Sequence, residues 1–165
     1  MLTSFSPFSP FSPFSLHRLC AVLCLVLAVA ATAARAAEPP LVVAHRMVNA
    51  WNALDVDAIT ELFAVDGRFQ SMMNADALVG RDAIRAHLAG LLDGATYLEL
   101  KLQNVAEANG VVFLERVDEF TYKGKDGRVP AVAVLVISDG HVAEWREYYD
   151  RPSLLREMGL AEGEH

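Results

Sequence analysis

Residues 109–150, NGVVFLERVDEFTYKGKDGRVPAVAVLVISDGHVAEWREYYD, predict three consecutive β-strands joined by tight turns. Apolar and polar side chains alternate through parts of the first and last segments, and the middle segment is almost entirely apolar, as in a strand buried on both faces. Asn109-Gly110 and Asp139-Gly140 favour hairpin turns, and Asp126-Gly127 within YKGKDGR is expected to form another. The preceding segment 96–108, TYLELKLQNVAEA, also alternates, so this region predicts four antiparallel strands.

The chain before these strands has helical patterns instead. Apolar residues recur at spacings of three and four in 41–55 and 80–94, and a shorter helix is expected over 55–64 with Asp55 or Asp57 as its N-cap. RFQSMM, residues 68–73, is predicted to be a short strand. Helices followed by hairpins indicate the α+β class, here a cone-shaped, curved antiparallel sheet with N-terminal helices packed over it. The open mouth of such a cone is a natural small-molecule pocket.

Residues 1–36 have the composition of a leader. A Phe-Ser-Pro repeat over 4–15 precludes regular structure, and it is followed by His17-Arg18, a 16-residue apolar run over 19–34, and small residues around Arg35. This order is typical of a secretory signal peptide, and the run is shorter than the roughly 20 residues of a spanning helix. We therefore predict export to the periplasm or outside the cell, with 37–165 as a single domain. An uncleaved leader would anchor the protein in the membrane.

The charge and cysteine content of residues 37–165 exclude several classes of function. Removal of the leader takes away Arg18 and Arg35 but no acid, which changes the formal net charge from −7 to −9. Such an acidic domain is not expected to bind nucleic acid or, after signal cleavage, an anionic membrane. Cys20 and Cys24 both lie in the leader, so disulfide and thiol chemistry are not expected. The histidines lack the spacing of metal ligands, so no metal and no cofactor are predicted.

The strand over 111–120 carries two charges on its apolar face. Residues two apart in a strand point to the same side, so Arg116 and Asp118 lie with Val112, Leu114 and Phe120. In the last strand, one face carries His141, Ala143, Trp145, Glu147 and Tyr149. The large side chains of Trp145 and Tyr149 favour this face as the inner one, so Glu147 is also predicted to point inward. Candidate catalytic residues are therefore Arg116, Asp118 and Glu147. The candidate substrate-binding residues on these faces are Phe69, Ser71, Met73, Phe120, Trp145 and Tyr149.

Two carboxylates around an arginine in an apolar pocket have two interpretations. Burial raises the pKa of a carboxyl group and a neighbouring cation lowers it, so unequal surroundings can leave one carboxyl as a general acid and the other as a general base. The alternative is an ion pair that only satisfies its own charges. Alternation alone favours the ion pair.

FLERVDEF, residues 113–120, and DGHVAEWREYYD, residues 139–150, resemble two segments of the limonene-1,2-epoxide hydrolase family. That family belongs to the nuclear transport factor 2-like or SnoaL-like superfamily, a cystatin-like α+β barrel. The similarity extends over about residues 41–158 and includes LFAVDGRFQSM and GRDAIRAHLAGLL. It also implies a homodimer formed through the outer sheet face, for which Val132, Val134 and Val136 offer an apolar surface.

The resemblance implies one-step hydrolysis of a small apolar epoxide to a diol. By this similarity Asp118 protonates the epoxide oxygen, Glu147 deprotonates the attacking water, and Arg116 bridges the two. This chain has Glu147 where the family has Asp. It also has Phe69 and Ser71 where the family positions its water with Tyr and Asn. Asn74 follows nearby and, by this resemblance, is a further candidate substrate-binding residue.

Two other functions fit the same residues. One is an isomerase or cyclase that resembles ketosteroid isomerase or the SnoaL-type polyketide cyclases, with one carboxylate base and a hydrogen-bond donor to a developing enolate. The other is a non-catalytic small-molecule-binding or dimerisation domain, in which the charges hold the polar end of an apolar ligand.

Overall fold

The computed structural model describes residues 37–74 and 76–160. The predicted leader over 1–36, with its apolar run, and residues 161–165 lie outside the described residues. Within the described ranges, no helix has both the length and the apolar character needed to cross a membrane.

The described residues form four helices, three of them before the long strands, as predicted. Pro40 begins the first helix at a position where a missing N–H is tolerated. Asp55 is the N-cap of the second, since its Oδ1 accepts a 2.9 Å hydrogen bond from the N–H of Ala58. Asp150 caps the last helix in the same way through the N–H of Ser153. The helices are α1 (Pro40–Asn52), α2 (Val56–Leu62), α3 (Arg81–Leu92) and α4 (Arg151–Met158).

Six strands form one curved sheet in the order β2-β1-β6-β5-β4-β3. Strands β3 to β6 are the predicted antiparallel hairpins, but β1 pairs with β6 in parallel, so the sheet is mixed and not wholly antiparallel. No tight turn joins β1 to β6, because β2, α3 and the strands β3 to β5 lie between them in the chain. The antiparallel geometry that a hairpin imposes therefore does not apply to this pair. The strands are β1 (Phe63–Gln70), β2 (Leu78–Val79), β3 (Ala95–Ala108), β4 (Val111–Tyr122), β5 (Lys125–Ser138) and β6 (His141–Tyr149).

The hairpin turns correct one sequence-based expectation. Asn109-Gly110 and Asp139-Gly140 turn the chain with positive φ at both residues, as predicted. Between β4 and β5, however, the turn is made by Lys123-Gly124. Asp126-Gly127 lies inside β5, where Asp126 accepts a 2.6 Å hydrogen bond from the hydroxyl of Thr121 directly opposite.

The first strand is also shorter at its C-terminal end than predicted. It ends at Gln70, and Ser71 begins a turn in which its carbonyl accepts a hydrogen bond from the N–H of Asn74. The hydroxyl of Ser71 meanwhile accepts one from the N–H of Met73 at 3.2 Å. Residues 71–73 therefore leave the sheet because local hydrogen bonds replace the strand pairing.

A bulge in β6 places its first residues on the opposite face from the one predicted, so the inward placement of His141 was wrong. Val136 pairs with Glu144 but Ile137 pairs with Val142, so Ala143 is the extra residue. Val142 is consequently fully buried, and His141 is exposed rather than inward. Beyond the bulge the alternation holds.

The main hydrophobic core lies between helices α1 to α3 and the inner face of the sheet. Its largest fully buried side chains include Met47, Phe63, Phe69, Leu114 and Trp145. A second, smaller cluster forms where α4 packs against β5, and it comprises Phe120, Tyr122, Val129 and Met158. The cavity described below is lined by members of both clusters.

Candidate functional site

Arg116 bridges the two carboxylates predicted to share its face. Its Nε donates to Asp118 Oδ1 at 2.7 Å and its Nη2 to Asp118 Oδ2 at 3.1 Å, a two-bond contact. Nη2 also donates to Glu147 Oε1 on β6. The structure thus brings together all three candidate catalytic residues around one guanidinium group.

Small side chains on the intervening strand allow this contact. Strand β5 lies between β4 and β6, and the residues opposite one another across a sheet share a face. Ala131 lies opposite Arg116, and Ala133 lies opposite Glu147. Both alanines are buried, so the Arg116 side chain crosses β5 over two methyl groups. This role was not predicted from the sequence, although the alternation of Ala131 and Ala133 with Val132 and Val134 was its signal.

The three charged groups are largely removed from solvent. The side chain of Arg116 is 2% exposed, that of Asp118 15% and that of Glu147 11%. Burial raises the pKa of Asp118 to about 6, although the charge and hydrogen bonds of Arg116 act in the opposite direction. Burial acts to lower the pKa of Arg116, but the two carboxylates outweigh it and raise that pKa. Asp118 can therefore carry a proton near neutral pH while Arg116 stays charged.

Arg116, Asp118 and Glu147 line part of a mostly apolar cavity of about 100 Å³. Its walls come from α1, α3, α4 and the strands β3 to β6, and Ser71, Met73, Phe120 and Tyr149 line it among the predicted substrate-binding residues. The remaining lining side chains are Trp51, Leu91, Leu92, Ala95, Tyr97, Leu98, Leu100, Tyr122, Val129, Leu154 and Met158. An apolar cavity with a few converging polar groups is the usual form of a small-molecule site.

Three predicted substrate-binding residues do not line this cavity. Phe69 is fully buried, with its ring centroid 6.4 Å from that of Trp51. Trp145 is also fully buried, and the guanidinium carbon of Arg116 lies 5.7 Å from its ring centroid. Asn74 lies in the turn after β1, outside the cavity lining. Phe69 and Trp145 face inward as predicted but lie in the core, since the cavity occupies only part of the inner face.

Two hydroxyl groups form a second polar feature in the cavity. Ser71 Oγ and Tyr149 Oη are 2.6 Å apart, and the N–H of Met73 donates to Ser71 Oγ. Burial raises the pKa of Tyr149 to about 12, so its phenol remains protonated at neutral pH. The hydroxyl pair therefore offers neutral donors and acceptors beside the charged trio.

A profile of the SnoaL-like domain family matches residues 44–145, more than half of the chain. The chain belongs to this family. The predicted membership of the SnoaL-like and nuclear transport factor 2-like superfamily is thereby confirmed, together with its α+β cone fold.

Solved structures of other proteins share the fold of this SnoaL-like domain. An LEH-like epoxide hydrolase of M. tuberculosis is 18% identical, with a TM-score of 0.62 over 72% of this chain and 88% of that one. A putative SnoaL-like polyketide cyclase of Shewanella denitrificans is 15% identical, with a TM-score of 0.65 over 74% and 98%. A hypothetical protein of ketosteroid isomerase-like fold from Catenulispora acidiphila, in complex with trimethylamine, is 22% identical, with a TM-score of 0.65 over 72% and 93%.

One further residue of the SnoaL-like domain was not singled out as part of the site by its sequence. His87 on α3 is half-buried beside Phe69, with a distance of 5.8 Å between ring centroids. Burial lowers the pKa of His87, and the negative charge of Glu147 acts in the opposite direction. His87 therefore presents a neutral imidazole to the core side of the site. Among the described residues, no three His, Cys, Asp or Glu side chains are grouped as a metal site requires.

Proposed function

We propose that this SnoaL-like domain hydrolyses a small apolar epoxide to a diol in one step. The observation that carries the proposal is Arg116, which bridges a buried carboxyl group of raised pKa and a second carboxylate in an apolar cavity. These two carboxyl groups differ in their surroundings, as an acid and a base in one reaction must.

The proposed reaction adds water across one C–O bond of the epoxide. Protonated Asp118 donates its proton to the epoxide oxygen as that C–O bond breaks. Water forms the new bond to the same carbon and gives its proton to Glu147. After this step Asp118 is ionised and Glu147 is protonated. Because Arg116 contacts both side chains, it is next to the negative charge before the step, on Glu147, and after it, on Asp118. Proton exchange with solvent restores the starting state.

The test measures diol formation from a panel of small epoxides. We expect Asp118→Asn and Glu147→Gln each to abolish it, because one removes the proton donor and the other the acceptor. Glu115→Gln, a change at a carboxylate of β4 on the opposite face of the sheet, is the matched control. Folding of each variant is checked by circular dichroism. Full activity of both site variants would contradict the assignment.

A ketosteroid isomerase-like or SnoaL-like isomerase or cyclase is the second candidate. The observation that favours it is the hydroxyl of Tyr149, since a buried neutral phenol can donate to a developing enolate. Turnover in water labelled with ¹⁸O distinguishes the two functions. The hydrolase places one labelled oxygen in each product molecule, and the isomerase or cyclase places none.

We propose further that the domain forms a homodimer through its outer sheet face and is exported. Phe113, Val132 and Tyr148 lie on that face and are 43%, 37% and 50% exposed, and Val132 and Tyr148 are paired across β5 and β6, so they give the face apolar area for a second copy to cover. Light scattering after size exclusion tests the dimer, with Val132→Lys as the variant expected to dissociate it. N-terminal sequencing of protein from the exported fraction tests removal of residues 1–36.

A further inference from the structure

We propose that Tyr149 and Ser71 together hold the attacking water against Glu147, which makes both of them water-positioning residues. This inference rests on the proposed hydrolase function and names a part of the site that the charged trio does not supply.

The sheet register places the hydroxyl pair beside Glu147. In the parallel pairing of β1 and β6, Phe69 lies opposite Trp145 and Gln70 lies opposite Arg146. Ser71 is the next residue after Gln70, and its hydroxyl contacts that of Tyr149. Tyr149 lies two residues beyond Glu147 on the same face of β6. All three side chains line the cavity. A water molecule in this corner therefore has the carboxylate and the hydroxyl pair within reach.

The hydroxyl groups of Ser71 and Tyr149 have one hydrogen left to donate to a water molecule. Ser71 Oγ accepts from the N–H of Met73, and one of the two hydroxyls donates to the other. A Ser or Tyr hydroxyl carries one hydrogen, so two hydrogens serve a pair that uses only one of them internally. Whichever hydroxyl donates within the pair, the hydrogen of the other is left for a third partner. The lone pairs of Tyr149 Oη also exceed what Ser71 uses.

The carboxylate of Glu147 also has an oxygen left to accept a hydrogen bond from that water. Within the described part of the chain, its side chain makes its one hydrogen bond through Oε1, to Arg116. Oε2 is thus available to accept a proton from water. A water held between Oε2 and the hydroxyl pair keeps one lone pair for the epoxide carbon. As the new C–O bond forms, its proton passes to Glu147, the epoxide C–O bond breaks and Asp118 supplies the proton to the leaving oxygen.

The hydroxyl of Tyr97, another cavity-lining tyrosine, is not available for this role. It donates to Glu99 Oε2 at 2.7 Å, on the exposed side of β3. Arg116 donates to the two carboxylates through Nε and Nη2, and its Nη1 is buried with no hydrogen-bond partner among the described residues. Tyr122, the third tyrosine of the lining, lies at the C-terminal end of β4, six residues beyond Arg116. Tyr149, in contrast, lies two residues from Glu147 on the same face of β6, and its hydroxyl contacts that of Ser71.

Kinetics of Tyr149→Phe and Ser71→Ala in the purified protein provide the first test. We expect each to lower kcat about tenfold to a hundredfold with KM nearly unchanged, because a misplaced nucleophile affects the chemical step and not substrate binding. The double variant should lose about as much as the worse single variant, since both hydroxyls hold one water. Tyr148→Phe, the same change one residue earlier and on the outer face, is the control. Unchanged kcat in Tyr149→Phe would overturn the proposal.

Crystal structures of the wild type and Tyr149→Phe provide a readout that does not depend on turnover. We expect an ordered water within about 3.2 Å of both Glu147 Oε2 and the hydroxyl pair in the wild type, and its loss in the variant. A wild-type crystal without this water overturns the placement, whatever the activity. A water that is present in a protein that opens no epoxide supports the placement and refutes the hydrolase function instead.

Discussion

Replacement of Asp118 by Asn should make the stability of the protein less dependent on pH. The carboxyl group of Asp118 is buried, and burial raises its pKa from 3.8 in the unfolded chain to about 6 in the folded one. The folded state therefore binds more protons than the unfolded state between these two values. Stability falls as pH rises through that window, and the contribution is fully lost above it. An Asn at this position is neutral at every pH and has no such loss.

The magnitude follows from the two pKa values. A change of one in pKa corresponds to about 1.4 kcal/mol, so a rise from 3.8 to about 6 places the cost of the ionised side chain at about 3 kcal/mol. The side chain of Asp118 is only 15% exposed, so solvent screening reduces this value little. We expect the difference in unfolding free energy, Asp118→Asn minus wild type, to rise by up to about 3 kcal/mol between about pH 4 and about pH 8.

Urea denaturation of both proteins across this range measures the difference. Asp126→Asn, the same substitution at an exposed position of β5, is the matched control for the chemical change itself. A difference between Asp118→Asn and wild type that stays constant, or that falls as pH rises, would refute the reasoning. It would mean that Arg116 stabilises the ionised carboxylate at least as much as burial destabilises it.

Three further outcomes are expected. For the wild-type reaction, kcat/KM should fall about tenfold for each further rise of one in pH above about 6, as Asp118 loses its proton; a flat profile argues against this acid. Arg116→Met leaves two buried carboxylates without their cation and should cost about 3–5 kcal/mol in urea unfolding, and a cost near zero would contradict the buried network. Gly127→Ala places a Cβ 2.6 Å from Phe120 Cε2 and should lower stability by about 1–3 kcal/mol in thermal melts. Gly90→Ala, whose Cβ meets nothing within 4 Å, should not, and equal melts for the two would refute the clash.

The hairpins could be predicted because their signals are local. Asn109-Gly110 and Asp139-Gly140 each specify a turn on their own, and the alternation around Arg116 specifies which side chains face inward. Glu147 was placed correctly because it follows the bulge at Ala143, so its alternation with Trp145 is undisturbed. His141 was placed wrongly because it precedes the bulge.

Features that depend on long-range packing could not be predicted. The parallel pairing of β1 with β6 depends on where the chain returns after α3, and no pair of neighbouring residues encodes it. The depth of Phe69 within the core depends on Trp51 packing from α1. The hydroxyl contact of Ser71 with Tyr149 depends on the pairing of β1 with β6, which brings residues 78 apart in the chain together. The role of Ala131 and Ala133 becomes visible only once the register between β4, β5 and β6 is known.

The parallel pairing of β1 with β6 also has a consequence for the order of folding. Arg116 and Asp118 are two residues apart in the chain, and Glu147 follows 31 residues after Arg116, all within successive hairpins. Ser71 and Tyr149 are 78 residues apart. Contacts between distant residues close a larger loop and form more slowly. Within the described domain, the charged trio therefore belongs to its locally connected part, and the hydroxyl pair is completed only when β1 joins the sheet.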